Sequence, residues 1–176
     1  MTWRGQIDVS VNTAGIIQSA GIDDDLHLWS SVWQTTLQVN LIAVADLCRD
    51  AIRHFRDRAG GIIINVASRA AFRGDAPDYI HYAASKGGVI ALTRSIARGF
   101  AADNILAFAV APGFVKTEMA EVFIQESGEV AATCDIPLGN IAPPQDVAHV
   151  ITFLSSGSAP HMTGTTIDIN GASYMH

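Results

Sequence analysis

Tyr82-Ala83-Ala84-Ser85-Lys86 places a phenol and an ammonium four residues apart. On a helix that spacing puts both on one face, with about 5–6 Å between their Cβ atoms. A phenol with a pKa near 10 is a poor base at neutral pH. An ammonium within about 4–6 Å favours the phenolate and lowers that value by about 1–3 units. A tyrosine tuned in this way exchanges a proton with an alcohol or a ketone. Taken alone, a Tyr-x-x-x-Lys pair is common and is more often a surface contact. Ser68 follows a buried-type strand and precedes Tyr82 by 14 residues. A hydroxyl at the carboxyl end of a parallel strand can reach a bound substrate. Asn40 interrupts an apolar helical stripe. Asparagine is a poor mid-helix residue, so it could cap a local distortion or hold a water. Asn12-Thr13-Ala14-Gly15 closes the first strand at the same edge, and Pro112-Gly113 closes the third.

The elements that must position these groups are legible as patterns. Residues 7–12 form a short β-type run and residues 62–67 a continuous apolar one. Residues 105–111 and 165–169 are the next two strands. A continuous apolar strand suits a parallel sheet covered on both faces. Trp29, Trp33, Leu37, Leu41, Val44, Cys48, Ala51 and Phe55 recur at helical spacing, with Asp23-Asp24-Asp25 before them and Gly60-Gly61 after. Carboxylates suit the positive end of a helix and glycine its stop. Further helices are expected over residues 79–100 and from Pro143-Pro144 to about Ser155. Residues 68–78 read as a loop. Residues 114–142 read as irregular, with a short helix near 118–126 and an apolar cover from Phe114, Met119, Val122, Phe123 and Ile124. Strands alternating with helices give an α/β class with a mostly parallel sheet, about four strands and three to four major helices. No repeat, linker or low-complexity segment divides residues 1–176, so one domain is expected.

Composition excludes several functions. Hydrophobic residues make up 49% and charged residues 16%, which is incompatible with intrinsic disorder. A formal net charge of −6 argues against a broad nucleic-acid surface. No apolar run approaches the roughly 18 residues of a membrane helix, and no apolar segment marks a signal peptide. Cys48 and Cys134 make no C-x-x-C and read as small buried apolar residues, so the compartment reads as cytoplasmic. The six histidines lack ligand spacing, and no metal site is expected. His81 adjoins Tyr82 but points about 100° away on a helix, toward a loop or the surface. Trp29 and Trp33 read as helix packing, and Gly87-Gly88 as a close helix approach.

Asn12-Thr13-Ala14-Gly15, Asn40, Ser68, Tyr82-x-x-x-Lys86 and Pro112-Gly113-x-x-x-Thr117 occur in the order found in the short-chain dehydrogenases/reductases. The chain resembles that family, and its 3-oxoacyl-carrier-protein-reductase-like branch in particular, from about residue 7 to residue 172. The resemblance implies a Rossmann-like, doubly wound sheet and hydride transfer between NAD or NADP and a small-molecule carbonyl/alcohol pair. It implies that Tyr82 is the general acid/base, that Lys86 lowers its pKa and holds the nicotinamide ribose, and that Ser68 orients the substrate oxygen. Asn40 would fix a water in a proton relay reaching Lys86. Asn12, Ala14 and Gly15 would lie along the cofactor, and Pro112, Gly113, Val115 and Thr117 would flank its nicotinamide and pyrophosphate. Family members associate through their long helices and their last strand and helix. A homo-oligomer, or association with full-length family subunits, is therefore implied.

One family feature has no counterpart. No two of the 15 glycines are two apart, so the Gly-rich turn that cradles a pyrophosphate is absent. Two βαβ units of about 30 residues each normally precede the Asn-x-Ala-Gly motif. The expectation is an incomplete sheet lacking roughly 60–80 residues, with strand 7–12 left as an edge and cofactor binding weakened.

Overall fold

The computed structural model describes residues 5–118, 120, 124 and 128–176. Strands β1 (Val9–Asn12), β2 (Gly61–Val66), β3 (Ile105–Pro112) and β4 (Thr166–Ile169) form one sheet in the order β1-β2-β3-β4, and every pair is parallel. The register sets Asn12 beside Asn65, Asn65 beside Ala109, and Ala109 beside Thr166. Side chains alternate across a strand. Ile63, Ile105 and Ala107 therefore enter a core on one face, while Ile64, Phe108 and Val110 enter a second core on the other.

The first face is covered by α2 (Ala43–Arg56) and α4 (Ile80–Phe100), and α1 (Leu26–Leu37) packs on α4. Asp25 caps α1 by accepting from the backbone N–H groups of His27 and Leu28. Val44, Cys48, Ile52 and Phe55 of α2 pack with Ile96 and Ala97 of α4 against the sheet. The second face is covered by α6 (Pro144–Ser155), through Leu154, Val147, Val150 and Ile151. Helices on both faces of a parallel sheet make a Rossmann-like α/β architecture. Among the described residues no helix is long and apolar enough to cross a membrane.

Three expectations are corrected. The stripe from Trp29 to Phe55 is two α-helices joined by a π turn over Gln38–Ile42, with Asn40 fully buried in its middle. Such turns insert an extra residue and turn a side chain out of register. The expected loop 68–78 contains the short helix α3 (Ala70–Arg73) and a 3-10 turn, Pro77–Tyr79. Cys48 is buried but Cys134 is exposed, because the short helix α5 (Glu129–Thr133) turns Ala132 inward and leaves Cys134 at its end. The expected helix near 118–126 lies mainly outside the described residues.

A polar row crosses the first core beneath the strand ends. Asn12 Nδ2 donates to Asn65 Oδ1 at 2.8 Å, and Asn65 Nδ2 donates to Thr93 Oγ1 at 2.9 Å. Thr93 passes its own proton to Val89 O at 2.8 Å. The row ties β1 to β2 and β2 to α4, and Asn65 is fully buried. Asn65→Ala removes the acceptor of Asn12 Nδ2 and the donor to Thr93 Oγ1 and leaves a cavity in their place, and each buried bond lost in this way costs about 1–3 kcal/mol. Urea denaturation of the variant is expected to show a loss of about 2–4 kcal/mol.

Candidate active site

Parallel strands bring their carboxyl ends to one edge, and the loops leaving β1, β2 and β3 carry Gly15, Ser68 and Gly113 there. The amino end of α4 reaches the same edge. Tyr82 lies in its first turn, and Lys86 follows one turn later on the same face. Lys86 is buried at 4% exposure, donates from Nζ to Val66 O at 3.0 Å, and lies 5.8 Å from the centroid of the Tyr82 ring. Ser68 acts on the Tyr82 phenol and favours its ionised form. Ser68 Oγ also accepts from Ala70 N at 3.1 Å, so the start of α3 orients it.

Burial dominates the electrostatics. It pushes the Tyr82 phenol above its ordinary value, Ser68 pulls it back, and the Asp75 carboxylate raises it again. Burial also brings the Lys86 ammonium down to about 8. The expectation of a phenol lowered by Lys86 is therefore corrected. Both charged forms are penalised together, and the ammonium is directed at the Val66 carbonyl rather than at the phenol oxygen.

Asn40 clamps the segment after β1. Its Oδ1 accepts from Ile16 N at 2.8 Å, and its Nδ2 donates to Ile16 O at 2.9 Å and to Ser85 Oγ at 3.2 Å. The π turn is what frees this side chain to leave the helix. The clamp presses Gly15 onto Lys86: a Cβ at Gly15 would lie 3.2 Å from Lys86 Nζ and 3.5 Å from Asn40 Oδ1. Asn12 turns its side chain inward to Asn65 and to Cys48 Sγ, at 3.5 Å, and so offers only backbone to the edge. Ala14 is exposed beside Gly15. Pro112 is buried at the end of β3, and its carbonyl accepts from Arg69 N at 2.9 Å. Gly113 closes on Asn170, whose Cα would lie 3.0 Å from an added Cβ. Val115 bridges to Ala142, and Thr117 is exposed beyond it.

His81 is fully buried and faces the loop, with Nε2 2.9 Å from Gln18 O. Trp33 packs against its ring at 5.8 Å between centroids. Gly88 is the close approach, since a Cβ there would meet Leu41 Cδ2 at 2.8 Å, whereas Gly87 has room. Sequence reasoning missed Asn65, Thr93, Asp75, Arg69 and Asp135. Only Arg69 carried a local signal, as a charge placed directly after Ser68.

A nicotinamide coenzyme fits these groups. An ammonium has three N–H donors, and Lys86 uses one of them, on Val66 O, among the described residues. Nζ itself lies beside Gly15, where a ribose diol would find the remaining donors. Such a coenzyme would supply the hydride.

The buried ammonium has a cost that can be measured. Lys86 ionises at about 8 when folded against 10.5 when unfolded, a gap worth about 3 kcal/mol below pH 8. A folded pKa below the unfolded one means that the penalty is complete below pH 8 and fades as the pH rises toward 10.5. Lys86→Met removes the penalty together with the Val66 hydrogen bond. It is expected to raise stability at pH 7 by about 1–2 kcal/mol, with a smaller gain at pH 9.5, read by urea unfolding at both.

Comparison with known proteins agrees with this geometry. A family model described as enoyl-(acyl carrier protein) reductase matches residues 1–172. The 3-oxoacyl-[acyl-carrier-protein] reductase FabG of Thermotoga maritima is 38% identical over 167 residues, which are 95% of this chain and 66% of that protein. The solved structure of ElxO with NADP bound superposes with a TM-score of 0.88 at 30% identity, over 97% of this chain and 68% of its own. A putative NAD(P)-dependent gluconate 5-dehydrogenase from Beutenbergia cavernae, also with bound NADP, gives 0.87 at 32% identity, over 95% of this chain and 66% of its own. The chain thus spans about two thirds of the length of the relatives it matches. By the match of its sequence to the family model and of its fold to these enzymes, the chain belongs to the short-chain dehydrogenase/reductase family.

Proposed function

We propose that the protein is an NAD(P)-dependent oxidoreductase that transfers a hydride between the nicotinamide and a small-molecule carbonyl/alcohol pair. The observation that carries this reading is Tyr82 with Lys86 one helical turn away on α4, its Nζ 5.8 Å from the phenol ring, and Ser68 leaving β2 at the same carboxyl edge of a parallel sheet. Ser68 donates to the substrate oxygen and holds it beside the phenol. Tyr82 is protonated near neutrality, because burial raises its pKa. It is therefore ready to give its proton to the oxygen of a ketone as the hydride arrives at carbon. Alcohol oxidation needs the phenolate and rises with pH. Lys86 holds the ribose through the donors that Val66 O does not use. Asn40 keeps Gly15 against Lys86 and lies where a proton relay would reach that ammonium. Ala14, Pro112, Gly113, Val115 and Thr117 line the coenzyme path, with Asn12 contributing backbone.

A second reading is favoured by one observation, the absence of any G-x-G among the 176 residues. In that reading the chain is a non-catalytic subunit that associates with longer members of the family. Exposed Leu28, Ile42 and Leu47 on the α1–α2 side support an assembling surface for either reading.

Calorimetric titration of the chain with NADH and NADPH separates the two. Micromolar binding of either supports the oxidoreductase. No binding by a folded sample, with co-purification of a longer relative, supports the associating subunit. In a turnover assay Tyr82→Phe is expected to lower kcat by about 10²–10⁴-fold, with coenzyme affinity little changed. Full activity in that variant would overturn the assignment of Tyr82.

A further inference from the structure

Two helices meet along a contact that leaves three buried polar atoms without a hydrogen-bond partner among the described residues. Trp33 Nε1 and Thr36 Oγ1 belong to α1, and His81 Nδ1 belongs to α4. Thr36 and His81 are fully buried. Trp33 and Thr36 stand three residues apart on α1, so they share a face. The register of the two helices is set by contacts on either side of Thr36. The Trp33 ring lies 5.8 Å from the His81 ring between centroids. Asn40 Nδ2 donates to Ser85 Oγ at 3.2 Å, and Leu41 fills the space that a Cβ at Gly88 would need. Residue numbers rise together along this contact, so α1 and α4 run side by side in one direction. Thr36 therefore falls between the Trp33–His81 contact and the Asn40–Ser85 contact, on the row that faces α4.

The chemistry of the three atoms is complementary to one small ligand. His81 Nε2 lies 2.9 Å from Gln18 O. A carbonyl oxygen only accepts, so Nε2 carries the ring hydrogen and Nδ1 is left as a lone-pair acceptor. Trp33 Nε1–H is a donor only, and the Thr36 hydroxyl has a hydrogen to give. Two donors and one acceptor match a water, which accepts twice and donates. A metal ion does not match, because an indole N–H has no lone pair to offer. Buried waters typically make about three hydrogen bonds to groups of this kind, and leaving such groups unpaired is costly.

We infer that the contact between α1 and α4 is a binding site for one ordered water, which accepts from Trp33 Nε1–H and Thr36 Oγ1–H and donates to His81 Nδ1. The water completes His81 in the tautomer that reaches Gln18 O. His81 precedes Tyr82, and Gln18 lies in the segment after β1 that carries Gly15. One molecule thus fastens α1, the first turn of α4 and that segment together. The site involves neither coenzyme nor substrate and does not depend on the reaction proposed above.

The 176-residue chain itself is tested in two ways. A crystal structure is expected to show a solvent peak within about 2.7–3.2 Å of Trp33 Nε1, Thr36 Oγ1 and His81 Nδ1 together. In solution, the Trp33 indole N–H is expected to give a cross-peak to water with the sign of a water that tumbles with the protein. The ring nitrogen signals of His81 are expected to place the hydrogen on Nε2. Thr36→Val keeps the side-chain shape without the hydroxyl and is expected to lose the cross-peak, and Thr36→Ser to keep it. His81→Phe removes the acceptor, is expected to lose the cross-peak as well, and serves where Thr36→Val does not fold. A peak that misses any of the three atoms, a direct bond from Trp33 Nε1 to His81 Nδ1, or a His81 ring with its hydrogen on Nδ1 instead overturns the inference. So does a cross-peak that survives Thr36→Val or His81→Phe unchanged.

Discussion

All four strands of the sheet run the same way, and a parallel pair cannot be closed by a hairpin. Each return therefore crosses a face of the sheet, and each departure leaves from the same edge. That constraint assembles the site. It delivers Gly15, Ser68 and Gly113 to one line without any of them being near another in sequence. It also demands helices on both faces, and α4 brings Tyr82 and Lys86 to that line. The polar row from Asn12 through Asn65 to Thr93 locks strand ends and helix in register just below it.

The site opposes burial to charge. Desolvation holds the Tyr82 phenol protonated and weakens the hold of Lys86 on its proton. Neither group is tuned by a single neighbour. Ser68 offsets part of the penalty on the phenolate, and Asp75 adds to it. Stability given up around a buried ammonium is retained because the ammonium has further donors to offer a ligand.

Much of this was legible in the sequence, for local reasons. The strands at 62–67 and 105–111 announced themselves as unbroken apolar runs, and the structure moves their limits by a residue. Asn40 announced a distortion because asparagine in an apolar stripe breaks helix logic. Its partner, Ile16, lies 24 residues away and carries no polar side chain, so nothing in the pattern named it. Asn12 read as a cofactor residue from its place in a motif, but its inward turn depends on Asn65 and Cys48, which only folding brings close. The sign of the Tyr82 shift was misread because spacing reports an ammonium and is silent about desolvation. Asp135 was invisible for the same kind of reason. It pairs with two arginines, Arg69 and Arg73, more than 60 residues earlier in the chain.

The two thiols report on opposite conditions of the molecule. Burial pushes the Cys48 thiol up to about 11, against its hydrogen bonds to Asn65 Oδ1 and from Asn12 Nδ2, which pull it down, and it sits where β1, β2 and α2 meet. A reagent that needs a thiolate finds almost none there, while Cys134 lies open. With Cys134 blocked, alkylation of Cys48 proceeds through molecules in which the junction of α2 with β1 and β2 has opened. The chain thus carries its own clock for the opening of that seam. Its rate compares the strength of the seam with that of the whole fold without any added label.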